Sequence, residues 1–286
     1  MYTSVSSYSF SQYLNDKRMT LFDCVEKAAQ MGFSAIEFID LPTDCGMTEE
    51  EFAAKLAEKA KECGIMISAY TIGAGLIKDT DEETRAEIER VKRKVDIAKI
   101  LGAPVMRHDA YFAQNKYRTF ELSLPELAQN IREIADYAEK LGIKTMIENH
   151  GYICQDSARV EQIVTAVNHK NFGLLVDMGN FMCADEVPYL AVSRLAPYAF
   201  HVHAKDFSKY PYHKKPLAPS FPSRGCSNLV ATVCGMGDVD VENCLAILKR
   251  AGYDGCVTLE YEGAIDCIAA IEMGLKNINE AIKRIG

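Results

Sequence analysis

The apolar positions of this chain fall into two alternating rhythms. Stretches with an apolar side chain every third or fourth residue read as amphipathic helices and keep ending in glycine; a short, almost unbroken apolar run then follows within a few positions. Ala28-Ala29-Gln30-Met31-Gly32 leads to Ala35-Ile36-Glu37-Phe38, Lys61-Glu62-Cys63-Gly64 to Ile65-Met66-Ile67-Ser68, and Lys99-Ile100-Leu101-Gly102 to Pro104-Val105-Met106-Arg107. Further on, Glu139-Lys140-Leu141-Gly142 leads to Thr145-Met146-Ile147-Glu148 and Lys249-Arg250-Ala251-Gly252 to Val257-Thr258-Leu259-Glu260. Glycine after a helix can take the left-handed conformation that satisfies the last carbonyls and turns the chain back, so each marks a helix-to-strand junction. Helix starts are legible in Thr48 to Glu51 and Ser123 to Glu126, where a capping hydroxyl is followed three residues later by an acid.

These marks predict helices beginning near residues 20, 48, 81, 123, 157, 185, 239 and 264. The matching strands fall near 3–9, 34–40, 65–71, 103–109, 144–150, 172–178, 199–206 and 255–262. Eight strand-then-helix units of about 36 residues suit an α/β fold of one domain over residues 1–286, a closed parallel (β/α)8 TIM barrel. An open doubly wound sheet is the alternative; it requires a glycine-rich dinucleotide loop after the first strand, and Ser6-Ser7-Tyr8-Ser9-Phe10-Ser11 is unlike one. One stretch breaks the rhythm, since Phe207 to Gly237 holds Pro211, Pro216, Pro219 and Pro222 among Tyr210, Tyr212 and Phe221. It reads as an extended, structureless loop after strand seven that serves as a lid, a binding loop or a subunit contact.

Composition narrows the partners. With 48% apolar and 25% charged positions over 286 residues, the chain is globular and able to bury a full core. Forty acidic residues against 32 basic ones leave a net charge of −8, so the broad positive field that captures nucleic acid is missing. No run of about 18 apolar residues occurs, and Met1 to Phe10 alternates like a strand; no membrane span and no targeting segment are expected, and a cytoplasmic location is. Ten cysteines, at 24, 45, 63, 154, 183, 226, 234, 244, 256 and 267, show no Cys-x-x-Cys spacing and read as reduced, mostly buried thiols.

In such a barrel the chemistry sits at the C-terminal ends of the strands, where the following loops converge. Strands five to eight close with Ile147-Glu148-Asn149-His150, Val176-Asp177-Met178-Gly179-Asn180, His201-Val202-His203-Ala204-Lys205-Asp206 and Leu259-Glu260-Tyr261-Glu262. Glu148, Asp177, His203 and Glu260 then offer three carboxylates and one imidazole to one divalent ion, Mn²⁺ first, with Mg²⁺, Co²⁺ and Zn²⁺ as alternatives. Several carboxylates packed together without a cation would have their pKa values raised sharply, which makes a metal the simplest neutraliser. Alternation points His201, His203 and Lys205 into the barrel; Lys205 is a candidate for substrate oxygens or a structural ion pair, and the deeper His201 for a hydrogen-bonded core role. Of Arg107 and His108 only one can face inward, and Arg107 suits a substrate hydroxyl, a phosphate or an interior salt bridge. Glu37 and His150 are candidate substrate contacts, and Arg224 in the long loop is a weaker phosphate candidate.

In order and spacing these segments, with Met31-Gly32-Phe33-Ser34-Ala35-Ile36-Glu37 and Gly235-Met236-Gly237-Asp238-Val239-Asp240 leading into Gly252-Tyr253-Asp254-Gly255, resemble the xylose-isomerase-like barrels over nearly the whole chain. That family includes keto-sugar 3-epimerases, inosose dehydratases and apurinic-site endonucleases. The resemblance places the epimerases' Glu, Asp, His, Glu metal quartet on Glu148, Asp177, His203 and Glu260. Two departures matter. Asn180 stands three residues after Asp177, where epimerases and endonucleases usually have histidine, and it becomes a candidate substrate contact; the segment 207–240 also lacks the Asp-x-His pair that completes the endonucleases' three-zinc cluster. The expected function is a metal-dependent isomerase or epimerase of a keto sugar or its phosphate, with Glu148 and Glu260 moving a proton through an enediolate. A dehydratase or lyase acting on a keto-cyclitol or keto-glycoside is the alternative, and the nuclease is disfavoured by charge. The implied partner is a small carbohydrate, and barrels of this type often pair into homo-oligomers.

Overall fold

The computed structural model describes residues 1–42, 46–112 and 116–286. In chain order its elements are β1 (Tyr2–Ser6), α1 (Ser11–Asn15), α2 (Leu21–Met31), β2 (Ala35–Ile39), α3 (Glu49–Glu62), β3 (Met66–Ile72), α4 (Asp81–Leu101), β4 (Val105–His108), α5 (Phe120–Leu141), β5 (Lys144–Glu148) and α6 (Ser157–Val167). There follow β6 (Phe172–Asp177), α7 (Asn180–Cys183), α8 (Pro188–Leu195), β7 (Ala199–Ala204), β8 (Asp206–Tyr210), β9 (Phe221–Pro222), β10 (Asn228–Thr232), α9 (Val241–Arg250), β11 (Cys256–Leu259) and α10 (Cys267–Arg284). Eight parallel strands close in the order β1-β11-β7-β6-β5-β4-β3-β2, the barrel that the eightfold rhythm predicts.

The punctuation works as its chemistry requires. Gly32, Gly102 and Gly142 end α2, α4 and α5 with φ of 89°, 75° and 74°, and Thr48 with Glu51 forms a reciprocal capping box on α3. The start of α5 is a correction. Thr119 caps it and the helix runs from Phe120, so Ser123 lies inside, its hydroxyl donating to the Phe120 carbonyl at 2.7 Å. A serine can bond backward along a helix as well as forward at a cap, and the serine-to-acid spacing does not separate the two.

The excursion after β7 is a second correction, because it is not structureless. β8, β10 and β9 form a three-stranded antiparallel sheet, Pro211, Pro216 and Pro219 fall in the connection between β8 and β9, and Pro222 sits on an edge strand where a missing N–H costs no ladder bond. Phe207 and Phe221 pack edge to face at 5.4 Å beneath this sheet. Its base is fixed by Asp206, whose buried carboxylate accepts the backbone N–H groups of Gly235, Gly237 and Val239 at 2.9–3.0 Å.

Most apolar burial lies between the barrel and its helices. Inside the barrel, Ala69, Val105, Met146 and Leu175 form a separate apolar layer. Each precedes an inward polar residue by two positions: Thr71, Arg107, Glu148 and Asp177. On these four strands the polar rim residues follow directly on an apolar layer. Nine cysteines are free thiols, seven of them buried, while Cys45 lies outside the described residues. No described helix is long and apolar enough to cross a membrane.

Candidate functional site

Register brings the strand ends to one level. Asp177 pairs with His203 across β6 and β7, and His203 pairs with Thr258 across β7 and β11. Potential ligand atoms of Glu148, Asp177, His203 and Glu260 all lie within 4.8 Å of one another. From His203 Nδ1 the distances are 3.7 Å to Asp177 Oδ2, 4.0 Å to Glu148 Oε1 and 3.5 Å to Glu260 Oε2.

Three of the four side chains have one polar atom secured elsewhere. Asp177 Oδ1 accepts the N–H groups of Gly179 and Asn180 at 2.8 and 3.0 Å, while Asn149 clamps the Asp177 backbone through two 2.9 Å bonds. Position 179 is tightly packed, since a Cβ there would stand 3.0 Å from the Lys205 carbonyl oxygen. His203 Nε2 donates to Glu37 at 2.9–3.0 Å. Glu148 accepts from the Asn180 amide at 2.8 Å and pairs with Arg107. What remains is telling: His203 Nδ1 and Asp177 Oδ2 are buried without a hydrogen-bond partner, and they face each other across the cluster.

The donor set fits a divalent cation. One imidazole nitrogen and three carboxylates match a hard-to-borderline ion, and the carboxylate that accepts from the imidazole's far N–H is the support such a ligand ordinarily has. Without a metal the protein balances the charge itself. Lys205 Nζ lies 2.5 Å from Glu260 and 3.3 Å from Asp177. Against the opposing effect of burial, these two carboxylates hold the Lys205 ammonium well above its usual range, and Glu37 and Glu260 do the same for His203. Lys205 and His203 in turn keep Glu260 well below the ordinary carboxylate range despite its burial. Glu148 is pushed the other way, because burial outweighs Arg107.

Other candidates are placed as follows. Arg107 faces inward and is ion-paired with Asp109 and Glu148, while His108 points outward and stacks on Phe172, as alternation demands. Asn180 bonds Glu148 and accepts from Lys205 at 3.4 Å. His150, partly exposed at the mouth, donates to Asp109 at 3.0 Å. Glu37 is 0% exposed behind His203, and its carboxylate meets the His203 and His201 imidazoles. Two imidazoles outweigh its burial and bring its carboxyl down to about 2. His201 is a core residue, 2.7 Å from the Thr258 hydroxyl. Arg224 lies apart from the cluster, paired with Asp156.

Sequence reasoning missed Asp109, which holds both Arg107 and His150. It also passed over Tyr8 and Glu262, which line the cleft above the cluster together with Arg107, Glu148, His203 and Glu260. Parity was the available signal, because Asp109 follows Arg107 and Glu262 follows Glu260 by two. The cleft has a volume of about 280 Å³ and shares walls with two further cavities of about 390 and 270 Å³ on either side of Phe221.

Fold and site thus define a (β/α)8 barrel with a carboxylate–imidazole cluster able to hold a metal at its C-terminal rim. The sequence model of the xylose isomerase-like TIM barrel family matches residues 25–284, and the chain belongs to that family. An inosose dehydratase of Lacticaseibacillus casei is 28% identical over 140 residues, 48% of this chain and 46% of that enzyme, so the match spans about half the relative's length. An inosose dehydratase of Clostridium perfringens (strain ATCC 13124) is 24% identical over 261 residues, covering 86% of this chain and 84% of that enzyme. Among solved structures, D-psicose 3-epimerase from Clostridium cellulolyticum H10, crystallised with D-tagatose, superposes with a TM-score of 0.76 at 15% identity, covering 99% of both chains.

Proposed function

We propose that this protein is a divalent-metal-dependent isomerase or epimerase of a polyhydroxylated ketone, with Mn²⁺ as the ion held by Glu148, Asp177, His203 and Glu260. The observation that carries the reading is the meeting of those four side chains, two of them with buried atoms that make no hydrogen bond, at the floor of a carbohydrate-sized cleft. A cation bound there supplies Lewis-acid polarisation of the substrate's oxygens.

The chain's own groups then move the proton. Glu260, ionised beside Lys205, takes the proton from the carbon next to the carbonyl. Glu148 enters from β5 and returns a proton, to the same carbon for epimerisation or to its neighbour for isomerisation. Arg107 and Asn180 fix the Glu148 carboxylate so that its reach does not drift. A second reading, loss of a β-hydroxyl as water, uses the same residues and is favoured by the inosose dehydratase relatives.

Turnover of ketoses and inosose in D₂O tests both. An isomerase or epimerase incorporates deuterium beside the ketone and yields an isomer; a dehydratase yields water and an unsaturated or diketo product. Glu260→Gln should lower exchange by about 10²- to 10⁴-fold. Exchange at the wild-type rate in that variant defeats the two-carboxylate scheme.

A further inference from the structure

Every cation lining the cleft is already engaged. Across the three adjoining cavities the only Lys or Arg side chains among the described residues are Arg107 and Lys205. The undescribed positions, Thr43, Asp44, Cys45, Ala113, Gln114 and Asn115, contain no Lys or Arg. Arg107 Nη1 donates to the Ile72 carbonyl at 3.1 Å and to Asp109 at 3.2 Å, and its Nη2 pairs with Asp109 at 2.9 Å and with Glu148. Its remaining Nε is buried and makes no hydrogen bond. Lys205 is held among Glu260, Asp177 and Asn180, with Glu262 at 3.9 Å. No guanidinium fork and no ammonium is left to receive a phosphate.

The anions point the same way. Asp40, Glu148, Glu260 and Glu262 line the central cavity with Arg107, Lys205 and the His203 imidazolium, and Asp40 is itself paired with Lys94 at 3.3 Å. Glu262 also borders both flanking cavities, so a ligand that leaves the central cavity for either one passes its carboxylate. In many TIM barrels phosphate is bound by the loops after the last two strands and a helix N-terminus. Here the loop after β11 carries Glu262, and the N-cap of α10 is Asp266, whose own carboxylate accepts the Ala269 N–H at 3.1 Å.

From this we infer that the cleft takes an uncharged polyhydroxy ketone and rejects its phosphate ester, with Glu262 setting that preference. The inference deepens the proposed function and rests on it for the site at which substrate binds.

Calorimetric titration of the Mn²⁺-loaded protein, freed of excess ion, tests it with matched pairs: fructose and fructose 6-phosphate, ribulose and ribulose 5-phosphate, tagatose and tagatose 6-phosphate. At least one parent ketose is expected to bind at millimolar concentration or below, and its ester at least tenfold more weakly. Glu262→Gln should narrow that ratio severalfold, as should raising the salt. An ester that binds as tightly as its parent overturns the inference, and so does failure of every parent to bind. Binding in the expected order without deuterium exchange would sink the catalytic reading and leave the charge preference standing. Exchange with a tightly bound ester does the reverse.

Discussion

Replacing Glu37 by glutamine probes the support behind His203 while leaving all four proposed ligands in place. The carboxylate is fully buried, and its oxygens lie 2.9–3.0 Å from His203 Nε2 and 3.0 Å from His201 Nε2. Burial alone would raise its pKa; the two imidazoles bring it from an ordinary 4.5 to about 2. A carboxyl held lower in the folded state contributes stability that is present at neutral pH and lost as pH falls through the folded value. Linkage puts this contribution at about 3 kcal/mol at pH 7, a ceiling for the variant because the amide keeps one acceptor oxygen. The amide also brings an N–H₂ group toward an imidazole N–H, which frees His203 to rotate and weakens metal affinity by about 10- to 100-fold. Urea unfolding of chelator-treated protein at pH 7, followed by circular dichroism, reads the first effect; competition with a chromophoric chelator reads the second. Wild-type stability together with Mn²⁺ affinity within twofold of wild type would refute the supporting role.

Two further outcomes are expected. Lys205→Met removes one of the two cations beside Asp177 and Glu260 and leaves only His203, so the metal-free variant should lose about 3 kcal/mol of stability; saturating Mn²⁺ should recover most of that loss, and a deficit equal with and without metal contradicts the charge-balance account. Burial lowers the His108 pKa to about 4 although Nδ1 bonds the Asp109 carbonyl at 2.9 Å. Its ordinary value of 6.5 means that the unfolded chain takes up a proton first as the solution is acidified, so stability should drop by about 3 kcal/mol between pH 6.5 and 4 on this group's account. His108→Asn should flatten that part of the urea-derived stability profile, and an unchanged profile rules the group out as its source.

The sequence by itself determined the architecture and the parity of the site. Five helix-ending glycines marked most of the eight units, and alternation along β5, β6 and β7 put Glu148, Asp177 and His203 on one inward face. Both signals are local, carried by hydrogen bonds and side-chain directions within a few residues of each other. Tertiary structure decided what those residues meet. Glu37 and His203 are 166 positions apart, and only closure of the sheet brings them into contact. That closure made Glu37 a buried acceptor, and it tied Arg107 to Asp109 and Glu148. Barrel packing also allowed residues 206–232 to fold as a small sheet, because Phe207 and Asp206 anchor it to partners up to 33 residues away in the chain. Such long-range pairings depend on where the strands meet, and the pattern of residues around each partner carries no record of the other.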